Sequence, residues 1–200
     1  MASRREASRQ RRQSILDAGL ACFEEGGEAA ITIEALRERS GASTGSLYHH
    51  FGNKDGVVAA LFQWILDDYR QGLNLSLEGE KSAREFVRAI VLHHVHWAAR
   101  DPVRARYLTQ VRRSRAIESI ETELRQSTGD MLREIGRRLH GYVAAGEVVD
   151  LPRALYAPLV IGPSQEVLRH LQSGRLRVDL DEVAEQLADA AWKSIRRDKN

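Results

Sequence analysis

Two hundred residues suffice for one large or two small domains with a buried core, and 30 Lys and Arg against 28 Asp and Glu leave a net charge of only +2. The one cysteine, Cys22, excludes an intramolecular disulfide; with no signal-peptide pattern visible, the expected setting is the reducing cytoplasm. The apolar runs are short and carry prolines, so no membrane span is expected. The charge is unevenly placed: among residues 1–13, Arg4, Arg5, Arg9, Arg11 and Arg12 stand against Glu6 alone. Such a basic arm suits a phosphate backbone or a minor groove, the plainer alternative being a solvated tail.

In chain order, a first helix is expected from about Ser8 to Glu25, with Ile15, Leu16, Gly19, Leu20 and Phe23 at intervals of three and four, ended by Gly26 and Gly27. Thr32 caps a short second helix with Ile33 and Leu36 on its inner face, stopped at Gly41. Ser43 caps a third, from Thr44 to about His50, whose inner residues Leu47 and Phe51 lie four apart. Its other side chains (Thr44, Ser46, Tyr48, His49 and His50) can all donate hydrogen bonds and none is acidic, which fits the groove of a polyanion. Asn53 caps a fourth helix to about Gly72, with Lys54 at its start and Val57, Val58, Leu61, Phe62, Ile65 and Leu66 forming a broad apolar face.

A polar break follows at 73–81. The capping box from Ser82 to Glu85 opens a fifth helix carrying Phe86, Ala89, Ile90, His93, His94 and Trp97. Asp101 and Pro102 start a sixth, through Tyr107, Leu108 and Val111. One long helix is expected from about Ile117 to Ala145, with Ile120, Leu124, Met131, Ile135 and Leu139 inward and Gly146 at its end. Pro152 opens the next, with Leu155, Leu159, Val160, Val167, Leu168 and Leu171; Pro158 and Pro163 are expected to kink or interrupt it. Asp179 or Asp181 caps the last, with Val183, Leu187, Ala190, Ala191 and Ile195 on one side. Val148–Val149 and 175–178 are too short to build a sheet, so the chain reads as all-α, with about nine helices.

Gly41-Ala42-Ser43, then Gly45-Ser46-Leu47-Tyr48-His49-His50-Phe51, then Asn53-Lys54-Asp55 resemble the helix-turn-helix of the TetR family of transcriptional regulators. The resemblance implies a three-helix DNA-binding head followed by a larger helical body. The expected domains are residues 1–55 for DNA, with the basic arm, and 56–200 for effector binding and dimerisation. DNA contact is expected from Arg11, Thr32, Thr44, Gly45, Ser46, Tyr48, His49, His50 and Lys54. The resemblance implies that the Tyr48 hydroxyl and Lys54 reach phosphates. Thr44 and Ser46 are placed to meet base edges, since recognition helices read with their N-terminal residues. No arginine or glutamine stands there for a bidentate base contact, so thymine methyls and DNA shape are expected to carry part of the reading. Three positions depart from the family pattern. Glu28 replaces an aromatic that normally plugs the head, so Ile31 or Leu36 is expected to fill that space. Arg37 and Ser40 stand where alanine is usual, tuning the packing or adding a phosphate contact.

For the body, Trp64, His93, His94, Trp97, Tyr107, Val111, Leu155 and Leu159 are candidate effector-pocket residues, suited to an apolar molecule with a polar handle. The last two long helices resemble the family's dimerising pair, with Val167, Leu168, Leu171, Val183, Leu187, Ala191 and Ile195 as interface candidates. His93 and His96 lie three apart, but no third metal ligand is evident; no metal or other cofactor is expected. Arg104, Arg106, Arg112, Arg113 and Arg115 form a second basic cluster. Because the family places this region in the body, a solvated or acid-paired face is the preferred reading. No catalytic triad or carboxylate pair stands out, so enzymatic activity is not expected. The resulting expectation is a homodimeric repressor, bound to an inverted-repeat operator and released by a small molecule. The alternatives are a constitutive DNA-binding protein without an effector and, more remotely, a helical-bundle enzyme.

Overall fold

The computed structural model describes residues 2–198, with the side chains of residues 2–4, 125, 127, 128 and 130 left out; the side chain of Arg4 in the arm therefore lies outside the described residues. Ten α-helices are described: α1 (Ala2–Gly26), α2 (Ile33–Ser40), α3 (Thr44–Phe51), α4 (Lys54–Ser76), α5 (Ala83–Arg100), α6 (Pro102–Val111), α7 (Arg115–Glu118), α8 (Glu121–Ala144), α9 (Arg153–Gln172) and α10 (Leu180–Ile195), with one 3-10 turn at Glu28–Ala30. No strand occurs among the described residues, only an isolated bridge between Val148 and Arg196. No helix among them is long and apolar enough to cross a membrane.

The ends of these helices follow local chemistry. Thr32 Oγ1 accepts from the Ala35 amide at 3.1 Å, Ser43 Oγ from Ser46 at 3.2 Å and Asn53 Oδ1 from Gly56 at 2.8 Å. Asp179, the first of the two acids considered, takes the amides of Asp181 and Glu182. Each cap satisfies a donor that the first helical turn leaves open, and such a cap is typically worth about 1 kcal/mol. Gly41 ends α2 at φ 65°, a conformation that a β-carbon would strain.

Three expectations change. The first helix begins at Ala2 instead of near Ser8, so most of the basic arm is helical. The helix expected from Ile117 is divided, because residues 119–120 form a turn between α7 and α8. Conversely, α9 runs on from Arg153 to Gln172 with both Pro158 and Pro163 inside it, where an interruption was one of two expected outcomes.

The chain folds into two compact units. Residues 1–67 and 103–125 form the first; residues 68–102 and 126–200 form the second. In the first, Ile15, Leu16, Leu36, Leu47, Leu61 and Ile65 are fully buried, each worth about 1.5–3 kcal/mol of burial. Tyr107, from α6, joins this core without exposure. Its ring meets Phe23 edge-on at 4.8 Å and its hydroxyl donates to the Val58 carbonyl at 2.9 Å. Ile31 and Leu36 are both buried, and Tyr107, 79 positions beyond Glu28, adds a third aromatic ring to those of Phe23 and Phe62 in this core. In the second unit α5, α9 and α10 pack on one another. Ala184, Ala188, Ala191 and Ile195 line the buried side of α10, and Tyr156, Val160, Ser164 and Leu168 that of α9.

Candidate nucleic-acid interface and a cleft in the second unit

The recognition segment is held from behind and bare in front. Leu36, Ala42 and Leu47 anchor α2 and α3 in the first unit's core. Ser40 Oγ donates to the Leu36 carbonyl at 2.5 Å and accepts from the Ala42 amide at 3.2 Å, closing the turn between the two helices. On the outer side, Thr32, Thr44, Gly45, Tyr48 and His49 are exposed, Tyr48 at 52%, while Ser46 and His50 are half-buried. A β-carbon on Gly45 would meet nothing within 4 Å, so this side of the helix is open to a close approach. Thr32 and Ser43 accept backbone bonds through their oxygens and keep their hydroxyl protons to donate. The first turn of α3 holds no acid, leaving the positive end of its dipole uncompensated.

The other cations gather around this helix. The Arg12 guanidinium lies 5.5 Å from the Phe51 ring at the end of α3. Burial lowers the affinity of His50 for a proton, and the charges of His49, Arg12 and Arg11 lower it further. Lys54, half-buried at the start of α4, lies 4.0 Å from the Asp55 carboxylate. One position carries a constraint that the amino-acid pattern does not show. At Gly56 a β-carbon would lie 1.8 Å from the Phe51 carbonyl oxygen. The corner between α3 and α4 therefore closes only over glycine. The Phe51–Gly56 spacing shows a turn but carries no sign of this contact.

The second unit contains a cleft of about 640 Å³ between α4 and α5. Its walls carry Asp68, Leu75, Arg88, His93, His96 and Trp97, among others. Trp97 donates to Asp68 at 2.9 Å, and Arg100 lies 3.9 Å from the same carboxylate. Arg88 forms a two-point pair with Glu185, and His96 lies 3.0 Å from Asp181. His93 Nε2 donates to the Tyr69 carbonyl at 2.9 Å, and its ring packs so closely on Gly72 that a β-carbon there would come within 2.6 Å of it. Behind the cleft, the Tyr69 hydroxyl and His94 Nδ1 are 3.2 Å apart, while His94 Nε2 is buried without a partner. Burial pushes His94 down to about 4 and Tyr69 up to about 12, so both are neutral near pH 7.

Of the expected pocket residues, only His93 and Trp97 line this cleft. His94 is turned behind it. Trp64, Tyr107 and Val111 belong to the first unit, where Trp64 lies under Arg104 at 4.5 Å and the other two are fully buried. Leu155 is exposed at 45% and Leu159 is half-buried on α9, outside the cleft. The reason is general: periodicity tells which side of a helix is inside, not which helix it meets. The lining is also more polar than an apolar ligand would select. Among the described residues, no three His, Cys, Asp or Glu side chains are close enough to share a metal.

A family model described as bacterial regulatory proteins, tetR family, matches residues 15–61, the segment from the middle of α1 into α4. The nucleoid occlusion factor SlmA of Sodalis glossinidius (strain morsitans) is 32% identical over 169 residues, covering 78% of this chain and 80% of that protein. The chain belongs to the TetR family. It is a DNA-binding transcription regulator of that family, and its fold agrees over nearly the whole length with a solved member. A TetR family transcription regulator from Marinobacter aquaeolei VT8 superposes with a TM-score of 0.82 at 18% identity, over 97% of this chain and all of the other. The SmeT–triclosan complex gives a TM-score of 0.69 at 23% identity, over 94% of this chain and 92% of the other.

In this TetR protein the expected dimer residues divide in two. Leu168, Ala191 and Ile195 are sealed in the chain's own core and are not free for a second copy, because α9 and α10 use those positions to pack on their own unit. Val167, Leu171, Val183 and Leu187 stay partly exposed. The arginine segment expected in the body packs instead in the first unit, with the helix-turn-helix.

Proposed function

We propose that this TetR protein is a ligand-responsive repressor that binds an inverted-repeat operator as a homodimer in the cytoplasm, with no catalytic activity. Residues 1–55 meet the DNA and 56–200 hold the effector and the second copy. Thr44 and Ser46 approach base edges over the bare Gly45, and His49 and His50 adjoin them. Tyr48, Thr32, Lys54 and Arg11 take phosphates. The partly exposed Val167, Leu171, Val183 and Leu187 meet the partner, and His93 and Trp97 meet the effector.

One observation carries the effector reading: α4 begins with Lys54 at the proposed DNA face, and its last turns form a wall of the cleft. A molecule that binds better to one arrangement of those turns shifts DNA affinity by that difference in binding free energy. That the SmeT structure is a complex with triclosan supports a small molecule as the class of effector. The test begins with selection of bound fragments from a genomic library by the full-length chain, followed by footprinting. Two protected half-sites about 34 Å apart are expected. Compounds are then screened for release of that fragment by fluorescence anisotropy. Protection without two-fold symmetry sinks the dimeric operator reading.

A second reading, a constitutive DNA-binding protein, is favoured by the charged groups of the cleft being paired with residues of the same unit. It predicts that no screened compound changes DNA affinity and that bound fragments are many and scattered.

A further inference from the structure

The segment after α6 carries a cationic surface that the recognition helix does not account for. Arg112, Arg113 and Arg115 are exposed, and among the described residues none of them makes an ion pair. They follow directly on residues that fasten α6 to the first unit: Arg104 over the Trp64 ring, Tyr107 bonded to the Val58 carbonyl, and Val111 fully buried.

These anchors also give α6 a direction. With a rise of about 1.5 Å per residue, Trp64 lies about 15 Å along α4 from Lys54 and Val58 only about 6 Å. Arg104 reaches the level of Trp64, and Tyr107, one turn later, reaches that of Val58. The helix thus runs down α4 toward its N-terminus, the end that carries Lys54 beside the recognition helix. Continued past Val111, the same descent brings the turn at 112–114 and the start of α7 to that end. The Ser114 amide bonds back to the Val111 carbonyl at 2.9 Å, so the turn stays close to α6. Glu28 opens the 3-10 turn after α1 and Glu118 closes α7; among the described residues neither makes an ion pair with the three arginines.

We infer that Arg112, Arg113 and Arg115 form a second phosphate-binding surface, which engages duplex DNA independently of sequence outside the stretch read by α3. The partner is the double-helical backbone. Three unpaired guanidinium groups on a short, fastened segment offer charge and forked donors, with no aromatic face on which to stack an unpaired base. The inference rests on the DNA-binding role of the helix-turn-helix.

The test uses the full-length chain and a random-sequence duplex of about 40 base pairs, with affinity followed by anisotropy across KCl concentrations of roughly 50–300 mM. The triple variant Arg112→Gln/Arg113→Gln/Arg115→Gln is expected to keep its melting temperature and to flatten the log–log salt slope by roughly 0.9 for each phosphate that it no longer neutralises. Lysine at the same three positions should restore the slope. A slope within about 0.5 of the parent's overturns the inference. So does a variant that loses affinity for single-stranded RNA but keeps its duplex slope, an outcome that assigns the patch to RNA. Tyr48→Ala separates the two failures. If it weakens binding while the glutamine variant behaves as the parent, only the second surface falls. If the parent binds no duplex at all, both readings fall.

Discussion

The outer face of α3 and the cleft between α4 and α5 are both built from histidines, an aromatic ring and hydroxyls, and they treat them in opposite ways. Around α3, the side chains of Tyr48 and His49 stand in solvent and make no hydrogen bond among the described residues, over a floor of Leu36, Ala42 and Leu47. In the cleft, Trp97, His93, His96 and Arg88 each already have an acceptor within the second unit. Donors left open can bind a polyanion at once. Donors already paired must be released, so under the proposed effector reading a ligand of the cleft would have to replace an existing bond and would thereby disturb the helices that made it. The first region is poised for contact and the second for exchange.

Four measurements would break or sharpen that contrast. Acidification should have the largest effect. Above about pH 6.5, His94 is neutral in both folded and unfolded chains and its contribution is complete. As pH falls from about 6.5 to about 4, the unfolded chain takes up the proton first and stability declines, by up to about 3 kcal/mol from this residue. His93, also depressed chiefly by burial, acts in the same direction. Urea unfolding across that range should therefore be flatter for His94→Gln than for the parent, and parallel curves would reject the assignment. Next, Trp97→Phe removes a donor from Asp68 and should cost about 1.5–3 kcal/mol by thermal unfolding. A cost under about 0.5 kcal/mol would mean that the pairing in the cleft is incidental.

On the open face the readout moves from stability to binding. Tyr48→Ala should leave stability within about 0.5 kcal/mol and weaken DNA binding roughly tenfold or more. Unchanged affinity in a gel shift would remove Tyr48 from the interface. The smallest effect is expected of Arg11→Gln: a salt slope reduced by about one, with similar weakening on every DNA sequence.

The helix ends were the most legible part of the chain, since Thr32, Ser43, Asn53, Ser82 and Asp179 bond residues two or three positions away. The recognition helix was equally readable, as its motif is local. What escaped were distant partners. Tyr107 read as a pocket aromatic because its helical face was apolar, but its neighbours Phe23 and Val58 lie 84 and 49 positions away. Leu168 and Ala191 read as interface because the last two helices resemble the family's dimerising pair; within this chain both are buried in their own unit. Gly56 gave no signal, because glycine in a helix start carries no record of what presses on it. The division of the long helix at residues 119–120 was hidden too, since Ile117, Ile120 and Leu124 keep helical spacing across the break.

Cys22 has a practical consequence. It is 2% exposed, and burial pushes its thiol above the usual range, so it offers a reagent neither access nor thiolate. A cysteine introduced at the exposed position of Tyr48 or His49 would be the one reactive thiol in the molecule. A dye or spin probe could then report from the outer face of α3 with the native thiol left in place.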